Sequence, residues 1–475
     1  MTSHGPTSRW WPVVLGFVVA VCIVMAAGLT WVLLAPAGAP ERVPRPTSAG
    51  SRSATGSEPA AGSVTAAGSV TAAGSVTATG SETATGSETA TGSETATGSE
   101  TARSEPLAGV QQVLDRRAAA ARARDESAWL ADLDPSAAGL RQRQQALLSA
   151  LLSLQVRELT LRAERFLPGP AVRPDGSGGD QAARVDVVGA WRLPGVDARP
   201  APFTLELTVR RHGGGWVVVD DAGPGTVRQA FDLSGLQVRR NPAGVVAGNA
   251  PAERLDEVAA DLAPAREHVE HAWGALSHLP AVLLPATSSE FAALTGRVGK
   301  DTSGVAAVTY GMLETGSVAR GDKIVVNPLA WASSTRQGRR IVLTHELTHL
   351  AVRATTTHPV PEWLSEGYAV HTSYAGLQVD PRRAAPELMA AVARGTLPTR
   401  LPEDERFSDV ASGTAYDEAW LLVDWLARAR GEDALRRLYR EMGTGSTPSD
   451  ALGRIGLTES TLLAGWQEDL RRLAR

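Results

Sequence analysis

The chain has 475 residues, with 47 Lys and Arg against 51 Asp and Glu, for a net charge of −4. That balance argues against nucleic acid as a partner, because phosphate binding wants a basic face. A single cysteine excludes an intrachain disulfide in any compartment.

Residues 1–9 form a short tail. Residues 10–34 are nearly all apolar, including Val13, Leu15, Phe17, Val18, Val21, Ile23, Val24, Leu29 and Leu33. About twenty apolar residues suffice to cross a bilayer, and this run is long for a secretory signal core. It predicts one uncleaved transmembrane helix, with Trp10, Trp11 and Trp31 suited to the interfaces. Ala35-Pro36-Ala37 has the form of a cleavage site, so a removed leader is the alternative. Cys22 follows Val21 rather than the small residue of a lipoprotein site, and reads as membrane-buried. Arg9 before the span and Arg42, Arg45 and Arg52 after it favour an outside N-terminus by charge count.

The segment after the span points the other way. Residues 35–104 are a Gly/Ser/Thr/Ala/Glu-rich stalk in which Gly62, Gly68, Gly74, Gly80, Gly86, Gly92 and Gly98 recur every six residues. Large apolar side chains are almost absent, so no core forms and disorder is expected. A parallel β-helix needs a bulky aliphatic in each coil, and the units from Glu82 to Glu100 have none. A polar stalk beside a span suits a single-pass protein of the cell membrane whose globular part is extracytoplasmic.

About 370 residues remain, enough for two globular units at roughly 100–200 residues each. The first, 105–245, opens with helical patterns at Leu107, Val110, Val113 and Leu114, at Ala128 to Leu133, and at Leu147 to Leu154. Strand-like runs follow at Arg184 to Gly189, Phe203 to Val209 and Trp216 to Asp220. Helices first and then a sheet ending in W-x-V-x-D resembles the NTF2-like (SnoaL-like) cone fold. His212 and Asp220 read as surface or sheet residues there.

The second unit, 246–475, starts with an amphipathic helix from Arg254 to Leu276 that places Leu255, Val258, Leu262 and Val269 on one side. His268 and His271 on it read as surface residues. Short apolar strands are expected at Val305 to Gly311 and Lys323 to Asn327. Such a sheet can hold an extended peptide along its edge, or be core alone.

The chemistry sits in Thr344-His345-Glu346-Leu347-Thr348-His349. Apolar neighbours from Ile341 to Val352 predict a helix. Residues four apart share one face, so His345 and His349 aim two imidazoles at one point. That arrangement suits two ligands of one zinc ion, with Glu346 close by as general base. Nine His in the chain make a chance H-E-x-x-H an event for about one chain in a hundred. The bland alternative is two unrelated surface histidines and a solvated Glu.

A third ligand is needed, and two carboxylates compete for the place. Pro361 suits a helix start, which puts Glu362 and Glu366 on one face, one turn apart. The context Trp363-Leu364-Ser365-Glu366-Gly367 favours Glu366.

H-E-x-x-H followed by W-L-x-E-G resembles the gluzincin zinc metallopeptidases, and among them the bacterial peptidase MA-like type of domain. The resemblance covers roughly 250–475, and its specific part is 340–372. It implies that one Zn2+ is held by His345, His349 and Glu366, and that Glu346 activates water. The gap from His349 to Glu366 is slightly shorter than in aminopeptidase-like members. Position 370 is Val rather than the Asp of thermolysin-like enzymes, so another group must orient the histidines. Position 355 is Thr, not the third His of a metzincin.

An oxyanion donor is also required. Gluzincins often use a downstream Tyr, which makes Tyr416, at the start of an apolar helix, the candidate. Packing of that helix is the alternative role. Tyr368, Tyr374, Arg382 and Arg383 are weaker choices. A small helical cap from Ala451, ending in Trp466 and Leu470, closes the chain. Lys occurs only at 300 and 323, a composition associated with a GC-rich bacterial source.

The expectation is an α+β protein: one transmembrane helix, a disordered stalk, an NTF2-like unit and a mainly helical zincin unit with a small sheet before its active-site helix. Its expected activity is zinc-dependent hydrolysis of a peptide or protein substrate at the membrane. The competing readings are a non-catalytic surface scaffold with an inactive zincin fold, and a hydrolase of cell-wall peptides.

Overall fold

The computed structural model describes residues 97–168, 182–407 and 413–475. The span expected at 10–34 and most of the stalk lie outside the described residues. No described helix is long and apolar enough to cross a membrane.

Three helices come first, α1 (Thr97–Ala123), α2 (Glu126–Ala131) and α3 (Ala138–Ser153). The first begins inside the stretch expected to be unstructured, 35–104. The glycine repeat ends at Gly98, and helix extends backward from the apolar run at Leu107, Val110 and Leu114. Asp125 caps α2 by accepting from the Ala128 N–H at 2.9 Å.

Strands β1 (Leu159–Phe166), β2 (Ala183–Trp191), β3 (Ala201–His212) and β4 (Gly215–Asp220) then form an antiparallel sheet in that order. Val185 and Val187 of β2 are buried, and so are Phe203, Leu207 and Val209 of β3. They meet Leu114, Trp129, Leu148 and Leu151 of the helices in a single core. β1 was not anticipated, because Arg162, Glu164 and Arg165 mask its alternation.

The second sheet has the order β5-β6-β7-β9-β8. It is built from β5 (Gln237–Asn241), β6 (Gly244–Gly248), β7 (Ala281–Leu284), β8 (Ala307–Met312) and β9 (Arg320–Val326). It therefore starts at Gln237, within the range expected for the first unit, 105–245. Asn241 makes the hairpin: its Oδ1 accepts from the N–H groups of Ala243 (2.8 Å) and Gly244 (3.1 Å). β6, β7 and β9 run parallel. Their apolar runs are buried throughout, as parallel strands covered on both faces require.

Helices α4 (Ala252–Trp273) and α5 (Ser288–Leu294) follow β6 and β7. Leu255, Val258, Leu262 and Val269 of α4 are fully buried. After β9 the chain is helical: α6 (Pro328–Ser333), α7 (Arg336–Arg353), α8 (Glu362–Tyr374), α9 (Pro381–Ala384), α10 (Pro386–Ala393), α11 (Gly413–Arg430), α12 (Glu432–Gly443), α13 (Pro448–Arg454) and α14 (Glu459–Ala474). The whole is a mixed α/β structure with two small sheets and a helical C-terminal region. The two sheets are joined by a buried ion pair, Lys323 Nζ to Asp197 Oδ1 at 2.7 Å.

Two contacts fix α8, the helix that carries Glu366. Gly367 lies against α11, where a Cβ would stand 2.5 Å from the Ala419 carbonyl oxygen and 2.6 Å from Val423 Cγ2. Glycine inside a helix costs about 1 kcal/mol relative to Ala, and here it permits the close crossing. At the far end His371 sits between two carboxylates, Nδ1 at 3.2 Å from Asp424 on α11 and Nε2 at 3.0 Å from Glu432 on α12. Burial disfavours the charged imidazole, but the two carboxylates outweigh it and push His371 up to about 9.

Gly367→Ala is expected to lower stability by about 1–3 kcal/mol in spite of its better helix propensity, as read by chemical denaturation. An unchanged or raised stability would contradict the close crossing. The His371 contact contributes fully below the unfolded imidazole value of about 6.5 and is lost as pH rises through about 9. The unfolding free energy should fall by about 1–3 kcal/mol across that window, and His371→Asn should flatten the fall.

Candidate metal centre

Helix α7 starts at Thr335, whose Oγ1 accepts from the Gly338 N–H at 3.1 Å. From Ile341 to Arg353 every residue is buried. A helix with no solvated face lies inside the core, packed between α4, α8 and the sheet. The bland reading of surface histidines therefore fails: His345, Glu346 and His349 are 2, 0 and 1 % exposed.

Helix α8 begins after Pro361, and the Glu362 N–H donates to Asp404 Oδ1 at 2.9 Å. One turn in, Glu366 is 1 % exposed and faces α7. His345 Nε2 and His349 Nε2 are 3.1 Å apart. Glu366 Oε2 lies 3.2 Å from the first and 3.5 Å from the second. Four ligands placed tetrahedrally at about 2.0–2.1 Å from a zinc ion stand roughly 3.3–3.4 Å from one another. The observed triangle has that size. Among the described residues this is the one group of three His, Cys, Asp or Glu donors close enough to share an ion.

The charges ask for a cation as well. Two carboxylates, Glu346 and Glu366, are buried beside two imidazoles. Burying an uncompensated carboxylate is costly. Burial raises the Glu346 carboxyl, against the pull of both histidines and Thr309. Burial also works on Glu366, but His349 and His345 overcome it and hold this carboxyl below the usual range. His349 is raised, because Glu366 outweighs its desolvation. One Glu346 oxygen, Oε1, is buried without a hydrogen bond among the described residues. A divalent cation would neutralise the pair of acids, so the donor set fits one.

The other Glu346 oxygen accepts from Thr309 Oγ1 on β8 at 2.7 Å. That hydroxyl also lies 3.1 Å from the Glu346 carbonyl. Sequence reading missed Thr309: its role depends on strand register, which turns it toward α7. Glu362, the rival ligand, stands outside the three-donor group. Burial and then the nearby Glu366 charge push it up to about 7.

Tyr416 lies on α11, 5 % exposed, with its ring edge-on to Phe407 at 5.2 Å. A different phenol, Tyr439 on α12, is close enough to Glu366 and Glu362 to be raised by their charges after burial itself. Tyr368 donates to the Ala272 carbonyl at 3.2 Å, and Tyr374 packs on Trp420 at 5.0 Å. Arg382 donates to the Leu473 carbonyl at 3.2 Å.

β8 is the outer strand of its sheet. Ala307, Val308 and Thr309 are nonetheless 0 % exposed, and the Gly311 carbonyl accepts from Arg353 at 3.3 Å. Its edge is thus largely covered, which disfavours simple strand addition of a peptide along it.

No curated protein matches the chain. Residues 301–471, which carry β8, β9, the three donors and the helices that follow but not α4, match the family model of the Peptidase MA superfamily, a zincin-like and typically metal-dependent metallopeptidase type.

Proposed function

We propose that this protein is a zinc-dependent metallopeptidase of the gluzincin type, in which His345, His349 and Glu366 hold one metal ion. The observation that carries the proposal is the buried triangle of donors, with edges of 3.1, 3.2 and 3.5 Å. The match at 301–471 supports the same reading. Bound there, a zinc ion supplies Lewis acidity toward water and carbonyl oxygen.

Glu346 is the residue placed to move protons. It neighbours both histidines yet contributes no atom to the triangle. Burial raises its proton affinity, as a general base and acid working near neutral pH requires. Thr309 holds one carboxylate oxygen and leaves the other for the attacking water. Glu346 takes that proton and returns it to the leaving amine. Tyr416 is kept as the candidate donor to the developing oxyanion, with Tyr439 as its rival by position.

The order of helices and then an antiparallel sheet supports reading 105–245 as an NTF2-like unit. The apolar run at 10–34 and the stalk support a single-pass cell-membrane protein with the peptidase outside the cytoplasm. Peptide or protein is the substrate class, and the net charge of −4 argues against nucleic acid.

Two variants test the chemistry. Glu346→Gln should keep metal content and lose cleavage of an unstructured protein such as casein by at least about a hundredfold. His345→Ala should lose both. Activity in Glu346→Gln equal to wild type would refute the general-base role.

A further inference from the structure

Thr309 turns toward α7, so its neighbour Tyr310 turns to the opposite face of the sheet. There a cavity of about 480 Å³ lies between the two sheets. Trp191, Ala201 and Pro202 wall it from the first unit, and Tyr310, Met312 and Arg320 wall it from the second. The sheets meet at its edge, where a Cβ on Gly321 would stand 2.4 Å from Ala201 Cβ. The volume falls within the roughly 300–1,000 Å³ of ligand sites.

The lining side chains are mostly donors, although Asp197 and Asp232 lie close enough to Tyr310 for their charges to act on its hydroxyl after burial itself. No carboxylate lines the cavity. Lys323 is paired with Asp197 at 2.7 Å, and Arg320 with Glu314 at 2.8 Å. Gln229 is engaged at both ends, accepting from Trp191 Nε1 and donating to the Val227 and Arg228 carbonyls. Two groups stay open. Lys300 is exposed and forms no ion pair among the described residues. The Tyr310 hydroxyl makes no hydrogen bond among them. Both are donors. Thr295 donates to the Phe291 carbonyl at 2.7 Å, the rest of the lining is largely apolar, with Leu294, Met312 and the Trp191 ring, and Val298 on the adjoining loop is 74 % exposed.

We propose that this cavity is an accessory subsite for a peptide segment that mixes acidic and apolar side chains. The segment's carboxylate answers Lys300 and Tyr310, and its apolar side chain fills the space beside Met312 and Trp191. The first unit thereby supplies half of a recognition surface on the back of β8, the strand whose Thr309 hydrogen-bonds Glu346. The choice of a peptide rests on the peptidase reading.

Binding is measured on the full-length chain carrying Glu346→Gln, so that turnover does not enter. The probes are two fluorescein-labelled hexapeptides, Gly-Leu-Glu-Tyr-Glu-Gly and its counterpart with both Glu replaced by Gln, followed by fluorescence anisotropy. The acidic peptide should bind at least about tenfold more tightly. Lys300→Glu, at an exposed position, should erase that preference. Met312→Trp, which fills the cavity, should weaken the acidic peptide by about tenfold or more. Equal affinity for the two peptides, or a preference untouched by Lys300→Glu, would overturn the proposal. Binding that fails while wild-type chain still cleaves casein sinks the subsite alone. Binding that holds in Glu346→Gln while the zinc-loaded wild-type chain fails to cleave casein sinks the peptidase reading alone.

Discussion

Two carboxylates and two imidazoles are buried together inside this protein, none more than 2 % exposed, and the rest of the structure is arranged around that fact. Each group would be costly alone. Glu366 is held ionised by the histidines it touches, whereas Glu346 is raised by burial and steadied by one hydroxyl. Such a cluster is balanced when a divalent cation sits among the donors.

The fold serves the cluster by holding two helices at close range. α7 is packed on all sides from Ile341 to Arg353, which holds its histidines in place. α8 is pressed on α11 at Gly367 and tied down at His371. A side chain at 367 would push Glu366 away from the imidazoles. The glycine after the third donor is thus a packing requirement, and Thr309 extends the support to the sheet. The first unit is no passive spacer: Asp197 reaches Lys323, the register partner of Tyr310.

Legibility from sequence followed how local each feature is. His345, Glu346 and His349 were readable because helical spacing alone brings them together. Glu366 was readable from its short motif, and α4, β8 and β9 from their apolar patterns. β6 and β7 were not named, since runs of four or five apolar residues do not distinguish strand from buried helix, and β5 was not, since Val238 is its one apolar residue. Thr309 and Gly367 were opaque for a different reason. Their roles exist only once a distant strand or helix has docked. Tyr416 stands between these cases: its helix was legible from its apolar pattern, while the packing of its ring on Phe407 was not.

The central claim is that one metal ion is held by two imidazoles and one carboxylate. X-ray absorption spectroscopy of the zinc-loaded full-length chain tests it most directly. The account predicts one zinc per chain, a shell of about four nitrogen and oxygen neighbours near ~2.0–2.1 Å, and the scattering signature of two imidazoles. A chain that retains no zinc, or a six-coordinate shell without imidazole, would contradict it.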